Sequence, residues 1–122
     1  MQIETRLSDQ IARYLDLASD QAKLTAANMA NIDTPGYRAV GMDFAAEMSE
    51  AMREIDDGDT MHPAHSVRVK TVDGLIARAD GNDVSMDRES LNLAEAQLQY
   101  KTGIALLHIE YQKVMDAIHA DK

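Results

Sequence analysis

The chain has 122 residues, 12 Lys plus Arg against 21 Asp plus Glu for a net charge of −9, and neither Cys nor Trp. That length gives one domain, the charge opposes binding to a nucleic-acid backbone or an anionic membrane, and the missing Cys excludes disulfides and thiol-based metal or redox chemistry. No window holds the roughly 18 consecutive apolar residues that a membrane span requires, and the N-terminus Met1-Gln-Ile-Glu-Thr lacks the basic and apolar segments of a cleaved secretory signal.

Aromatic residues are few, with Tyr 4 and Phe 1, and the apolar content is largely Ala, Leu, Ile and Met, which fill helix seams. From about Ile3 to Ile32 the spacing predicts one long helix. Its seam is Leu15, Ala18, Ala22, Thr25, Met29 and Ile32, at alternating steps of three and four. The helix stops at Asn31-Ile-Asp-Thr-Pro-Gly-Tyr37, because Pro35 removes an N–H and pushes Thr34 out of the α region. Pro35 and Gly36 suit the two central positions of a type II turn, where Gly supplies the positive φ.

A short amphipathic helix is predicted across Phe44, Met48 and Met52. The acidic stretch over residues 54–66 has no periodicity and reads as loop. Val67-Arg-Val-Lys-Thr-Val72 alternates as a strand or extended arm does, with no partner expected unless another chain provides one. Asp80-Gly-Asn-Asp83 is a turn, and Ser85 caps a second long helix with Asp87 and Glu89 in its first turn. This helix runs to about His119, with a seam over Tyr100, Ile104, Leu107, Tyr111, Val114 and Ile118.

Chemistry-bearing motifs are weak. His62-Pro-Ala-His65, near Asp56, Asp57 and Asp59, has a metal-site composition, but the two histidines are three apart in a loop broken by Pro63. They read as ordinary loop histidines. Asp80-Gly-Asn-Asp begins like a calcium loop and then places Val84 and Ser85 where an oxygen ligand and a Gly are needed. No Gly-rich phosphate loop and no nucleophile–base signature occurs. The expectation is a protein that is not an enzyme, with no catalytic residue, cofactor or metal ligand, and no nucleic-acid or small-molecule partner.

The most informative segment, Ala26-Ala-Asn-Met-Ala-Asn-Ile-Asp-Thr-Pro-Gly-Tyr37, resembles the N-terminal signature of the flagellar rod and hook axial protein family. Two further blocks resemble its proximal-rod members: Thr60-Met-His-Pro-Ala-His65, and Asp80-Gly-Asn-Asp-Val-Ser-Met-Asp-Arg-Glu89 followed by Leu93-Ala-Glu-Ala-Gln-Leu-Gln-Tyr100. Gly41 departs from the pattern, since the family often carries an acid there, whereas Asp43-Phe44 is present. The resemblance implies a structural, torque-transmitting subunit of the periplasmic rod in the basal body. It also implies export by the flagellar type III apparatus without signal cleavage. The implied partners are other rod proteins, rod-base proteins of the export gate or membrane-ring adaptor, and copies of the chain itself.

The expected fold is all-α dominated. Residues 1–37 form a helix and turn, 38–84 a polar, largely loop middle that holds a short extended arm, and 85–122 a second helix that packs on the first as a coiled-coil hairpin. Asn28, Asn31, Thr34, Pro35, Gly36 and Tyr37 form the candidate assembly motif: the polar side chains bond the turn backbone or a neighbour, Pro35 and Gly36 set the bend, and Tyr37 anchors the redirected chain. A plain helix stop is the competing reading of the same residues. Wide apolar flanks on two long helices imply that folding is completed by assembly. The competing functional classes are a cytosolic coiled-coil adaptor or export chaperone, and a metal-dependent hydrolase using His62 and His65.

Overall fold

A computed structural model describes residues 5–58 and 66–120. Helix α1, Arg6–Ala30, begins with a capping box in which the Ser8 N–H donates to Thr5 Oγ1 and the Thr5 N–H donates to Ser8 Oγ. Strand β1 is Val40–Gly41, helix α2 is Phe44–Asp56, strand β2 is Lys70–Thr71, and helix α3 is Met86–Ala120. Asp43 caps α2 by accepting from the Ala46 N–H at 3.0 Å. Ser85 precedes α3, and its hydroxyl lies 3.5 Å from the Arg88 N–H.

The chain forms an antiparallel α1/α3 hairpin with α2 laid against α1. The Thr5 hydroxyl donates to Glu110 Oε1 at 3.0 Å, fixing the start of α1 beside the far part of α3. At 1.5 Å per residue, the 25-residue α1 spans about 38 Å and the 35-residue α3 about 52 Å. Residues 111–120 of α3 therefore extend past Thr5. The Tyr14 and Phe44 rings meet edge to face, with centroids 5.5 Å apart, and join α1 to α2.

The hairpin seam keeps much of the expected α1 face and differs from the expected one on α3. Ile11, Ala18 and Thr25 are buried on α1, and Glu89, Ala96 and Gly103 on α3, both sets at intervals of seven. Among the expected seam residues Ala18 and Thr25 are buried, and Leu15, Ala22, Met29, Leu107 and Val114 are half-buried. Tyr100, Ile104, Tyr111 and Ile118 face solvent. Ile32 lies in the turn beyond α1, not in the helix. The reason is close approach: small residues let the two backbones come together, so the larger apolar side chains of α3 are turned outward.

Gly103 is where that approach is tightest, since a Cβ there would lie 2.6 Å from Leu15 Cδ2 and 3.1 Å from Tyr14 Cδ1. Gly103→Ala is expected to destabilise the hairpin by about 1–3 kcal/mol through overpacking, despite the roughly 1 kcal/mol that Ala gains over Gly inside a helix. A thermal melt followed by circular dichroism checks this, and an unchanged or raised midpoint contradicts the packing.

Residues 67–72 have their partner within the chain, contrary to the expectation of a lone arm. Val40 pairs with Thr71 and Gly41 with Lys70 in antiparallel register, and the Val72 N–H donates to the Ala39 carbonyl at 2.9 Å. Alternation revealed the strand but not the partner, a two-residue strand with no pattern of its own.

Candidate assembly site

The signature segment closes on itself before it meets any neighbour. The Asn31 N–H caps α1 on the Ala27 and Asn28 carbonyls, and the Asn31 amide donates again to the Ala27 carbonyl at 2.8 Å. Thr34 donates its hydroxyl to Asn31 Oδ1 at 3.1 Å. The Tyr37 N–H then donates to the Thr34 carbonyl at 3.2 Å across Pro35-Gly36, with Gly36 at φ 72. This is a type II turn, and its third residue needs the positive φ that Gly adopts without strain.

Asn28 ties the turn to β1 and α3. It is 1% exposed. Its Nδ2 donates to the Val40 carbonyl at 2.8 Å and to Glu89 Oε2 at 3.1 Å, while its Oδ1 accepts from the Val40 N–H at 2.9 Å and the Tyr37 hydroxyl at 3.1 Å. Both donors and both acceptor positions of the amide are therefore used. The side chain pairs with Val40 as a neighbouring strand would, and Tyr37 is anchored through its hydroxyl.

The other half of the site comes from residues 78–89. Asn82 is fully buried, and its Nδ2 lies 2.9, 3.0 and 2.8 Å from the carbonyls of Asn31, Ile32 and Thr34. The Asn31 carbonyl belongs to the C-cap of α1 and the other two to the turn that follows, so one side chain from a distant loop holds the helix end and the turn together. Asn82 Oδ1 accepts from the Val84 N–H. Asp83 is also buried: it accepts from the Ala39 N–H at 2.6 Å and from Arg38 Nε at 3.4 Å. The Gly36 N–H donates to the Asp80 carbonyl at 2.8 Å, and Arg78 reaches the Ile32 carbonyl. A Cβ on Gly81 would stand 3.4 Å from Gly36 Cα, so the two turns touch through glycines.

All six residues of the expected motif thus lie in or beside one buried polar interlock. The interlock also contains Asn82, Asp83 and Glu89, which were not named as site residues from the sequence. The signal was present in the block Asp80–Glu89, whose polar residues read as turn and cap. Their partners, 44 to 61 positions away in sequence, leave no local trace. On the far side of α2, Glu47 is 3% exposed and accepts from Arg68 Nε at 2.7 Å. That bond, and after it the charge of Glu47, holds the Arg68 pKa above its ordinary value.

Away from the interlock α3 carries a broad apolar surface. Leu91 and Leu98 are 69% and 67% exposed, and Leu106, Ile109 and Met115 are also exposed beside the four outward seam residues. Among the described residues there is no group of three or more potential metal-ligating side chains, and no helix long and apolar enough to cross a membrane. His62 and His65 lie outside the described residues.

No family model matches the chain. It is similar to the flagellar basal body rod protein FlgB of Salmonella typhimurium, 35% identical over 120 residues that cover 85% of this chain and 86% of that protein. The corresponding protein of Escherichia coli is 33% identical over 122 residues, covering 87% and 88% of the two chains. That of Cereibacter sphaeroides is 32% identical over 127 residues, covering 96% and 99%.

Proposed function

The chain belongs to the flagellar basal body rod protein FlgB family, and on that premise we propose how its hairpin serves as a structural subunit of the rod. The observation that carries the mechanism is the orientation of α3. Large apolar side chains that would fill the core of an isolated hairpin are turned outward along the helix and continue past the start of α1. Monomeric proteins seldom keep so extended an apolar surface uncovered. Burial against neighbouring subunits removes it from water at roughly 25 cal/mol per Å².

The interlock sets geometry, and the outer face of α3 supplies the contact. Buried, fully bonded polar networks fix register more than they add stability. The Asn28, Asn82 and Asp83 bonds hold the bend between α1 and the strands at one angle, so successive subunits present the same face and torque passes through a stiff unit. The interlocked end folds within the chain, and the distal part of α3 gains order on assembly. The partners are copies of the chain, other rod proteins, and rod-base proteins of the export gate or membrane-ring adaptor. The chain reaches the periplasmic rod through the flagellar export apparatus without signal cleavage. Neither the relatives nor the geometry favours the adaptor reading.

The test is a charged substitution on the outer face of α3. Leu98→Asp with Ile104→Asp is expected to leave the helix content of the purified chain unchanged and to abolish both its incorporation into isolated basal bodies and swimming. Normal swimming by the double variant contradicts the role given to that face.

A further inference from the structure

Arginine usage in this acidic chain has one exception. Arg6, Arg38, Arg53, Arg68 and Arg78 each lie within salt-bridge distance of a carboxylate, and Arg13 has an interaction of its own. Arg88 Nη1 is buried with no acceptor among the described residues. It lines a cavity of about 370 Å³, open on one side, between the β1/β2 ribbon, the start of α2 and the first half of α3. Lys70 lines the same cavity, as does Gln99, whose Oε1 is likewise buried and without a donor.

A guanidinium N–H withdrawn from water without an acceptor is unfavourable, and so is a buried amide oxygen without a donor. The first turn of α3 adds helix-dipole potential of the same sign as Arg88. Two acids face the cavity, and neither satisfies these cations. Asp43 is engaged in capping α2, Glu95 is exposed further along α3, and no ion pair joins either to Arg88 or Lys70. The complementary ligand therefore carries a carboxylate beside an N–H donor, as an Asp or Glu in a polypeptide does.

We propose that this cavity receives an acidic side chain from a neighbouring copy of the chain, its carboxylate held by Arg88 and Lys70 and its main-chain N–H by Gln99 Oε1. The charge balance selects the occupant: each copy brings 21 acidic against 12 basic residues, and exposed carboxylates such as Asp16 and Asp116 have no ion pair among the described residues. The cavity lies at the first half of α3 and Asp116 near its far end, so a contact through such an acid is heterologous and propagates into an open helical assembly instead of closing as a dimer. The inference rests on the rod-subunit reading and adds a specific subunit-to-subunit contact.

The test uses basal bodies isolated from cells that express a tagged and an untagged copy of the chain together. A carbodiimide joins an amine to a touching carboxylate with loss of water, and mass spectrometry then identifies what is joined to Lys70. The expected product links Lys70 of one copy to an acid of another, giving a tagged–untagged dimer. Arg88→Gln is expected to melt like the unsubstituted protein, because the Arg88 side chain has no hydrogen bond or ion pair among the described residues, yet to enter basal bodies at a level on the order of tenfold lower. Lys70 joined only to Asp43 or Glu95 of its own chain, or to a different protein, overturns the proposal. So does a lowered melting temperature or normal incorporation of Arg88→Gln. If the unsubstituted chain is itself missing from basal bodies, the rod-subunit reading fails first, and this contact with it.

Discussion

Asn82→Ala is expected to lower the free energy of unfolding by about 2–4 kcal/mol, the scale set by buried polar groups left without partners. The Asn82 amide faces three carbonyls at the end of α1 and accepts from the Val84 N–H through its oxygen. Alanine takes one donor from each of those carbonyls, leaves the Val84 N–H without the oxygen it donates to, and opens a void where a fully buried side chain stood. The loss should also be local. In hydrogen exchange, amides of residues 27–37 should lose protection before those in the middle of α1. Urea titration followed by circular dichroism gives the magnitude, and a change below roughly 0.5 kcal/mol, typical of surface substitutions, would mean that Asn82 is not what finishes the helix.

Asn28→Asp is expected to destabilise by about 3–5 kcal/mol at neutral pH, more than Asn28→Leu, although it alters only one atom position. The acid still accepts from the Val40 N–H and the Tyr37 hydroxyl, but it no longer donates to the Val40 carbonyl or to Glu89. The donor in contact with Glu89 becomes a second carboxylate, and a buried pair of like charges is among the costliest arrangements a fold can hold. Two such carboxylates raise the pair's apparent pKa in the folded state above the unfolded values. The penalty is therefore full above the folded pKa and relieved as pH falls through it, when one shared proton restores a donor. The stability gap between Asn28→Asp and the unsubstituted chain should narrow on acidification. The gap for Asn28→Leu, which leaves one buried carboxylate instead of two, should recover less on acidification. A pH-independent gap for Asn28→Asp would remove the Asn28–Glu89 contact from the account.

The parts of this fold that were legible in the sequence are those with a local cause. Pro35-Gly36 dictates a turn through its own φ values, Ser85 sits where a helix start needs an oxygen, and Phe44, Met48 and Met52 share a helix face. The terminal helices follow from their apolar periodicity. What stayed hidden depends on distance in sequence. Asn82 acts on residues 48 to 51 positions away, and a buried Asn has the same letter as one in an exposed turn. The α3 side of the hairpin seam was harder to read for a related reason. Periodicity draws attention to Tyr100, Ile104 and Tyr111, whereas α3 approaches α1 through Ala96 and Gly103, which carry little hydrophobicity and admit a close neighbour. The outward turn of the larger residues is itself informative, because it is the observation on which the proposed contacts between chains rest.

The measurement that bears most directly on the central claim is electron microscopy of basal bodies from cells lacking this chain, before and after the chain is resupplied. The account predicts membrane rings without a rod, no swimming, and recovery of both on resupply, with the chain retained in the isolated basal bodies. Complete rods and normal swimming in its absence would contradict it.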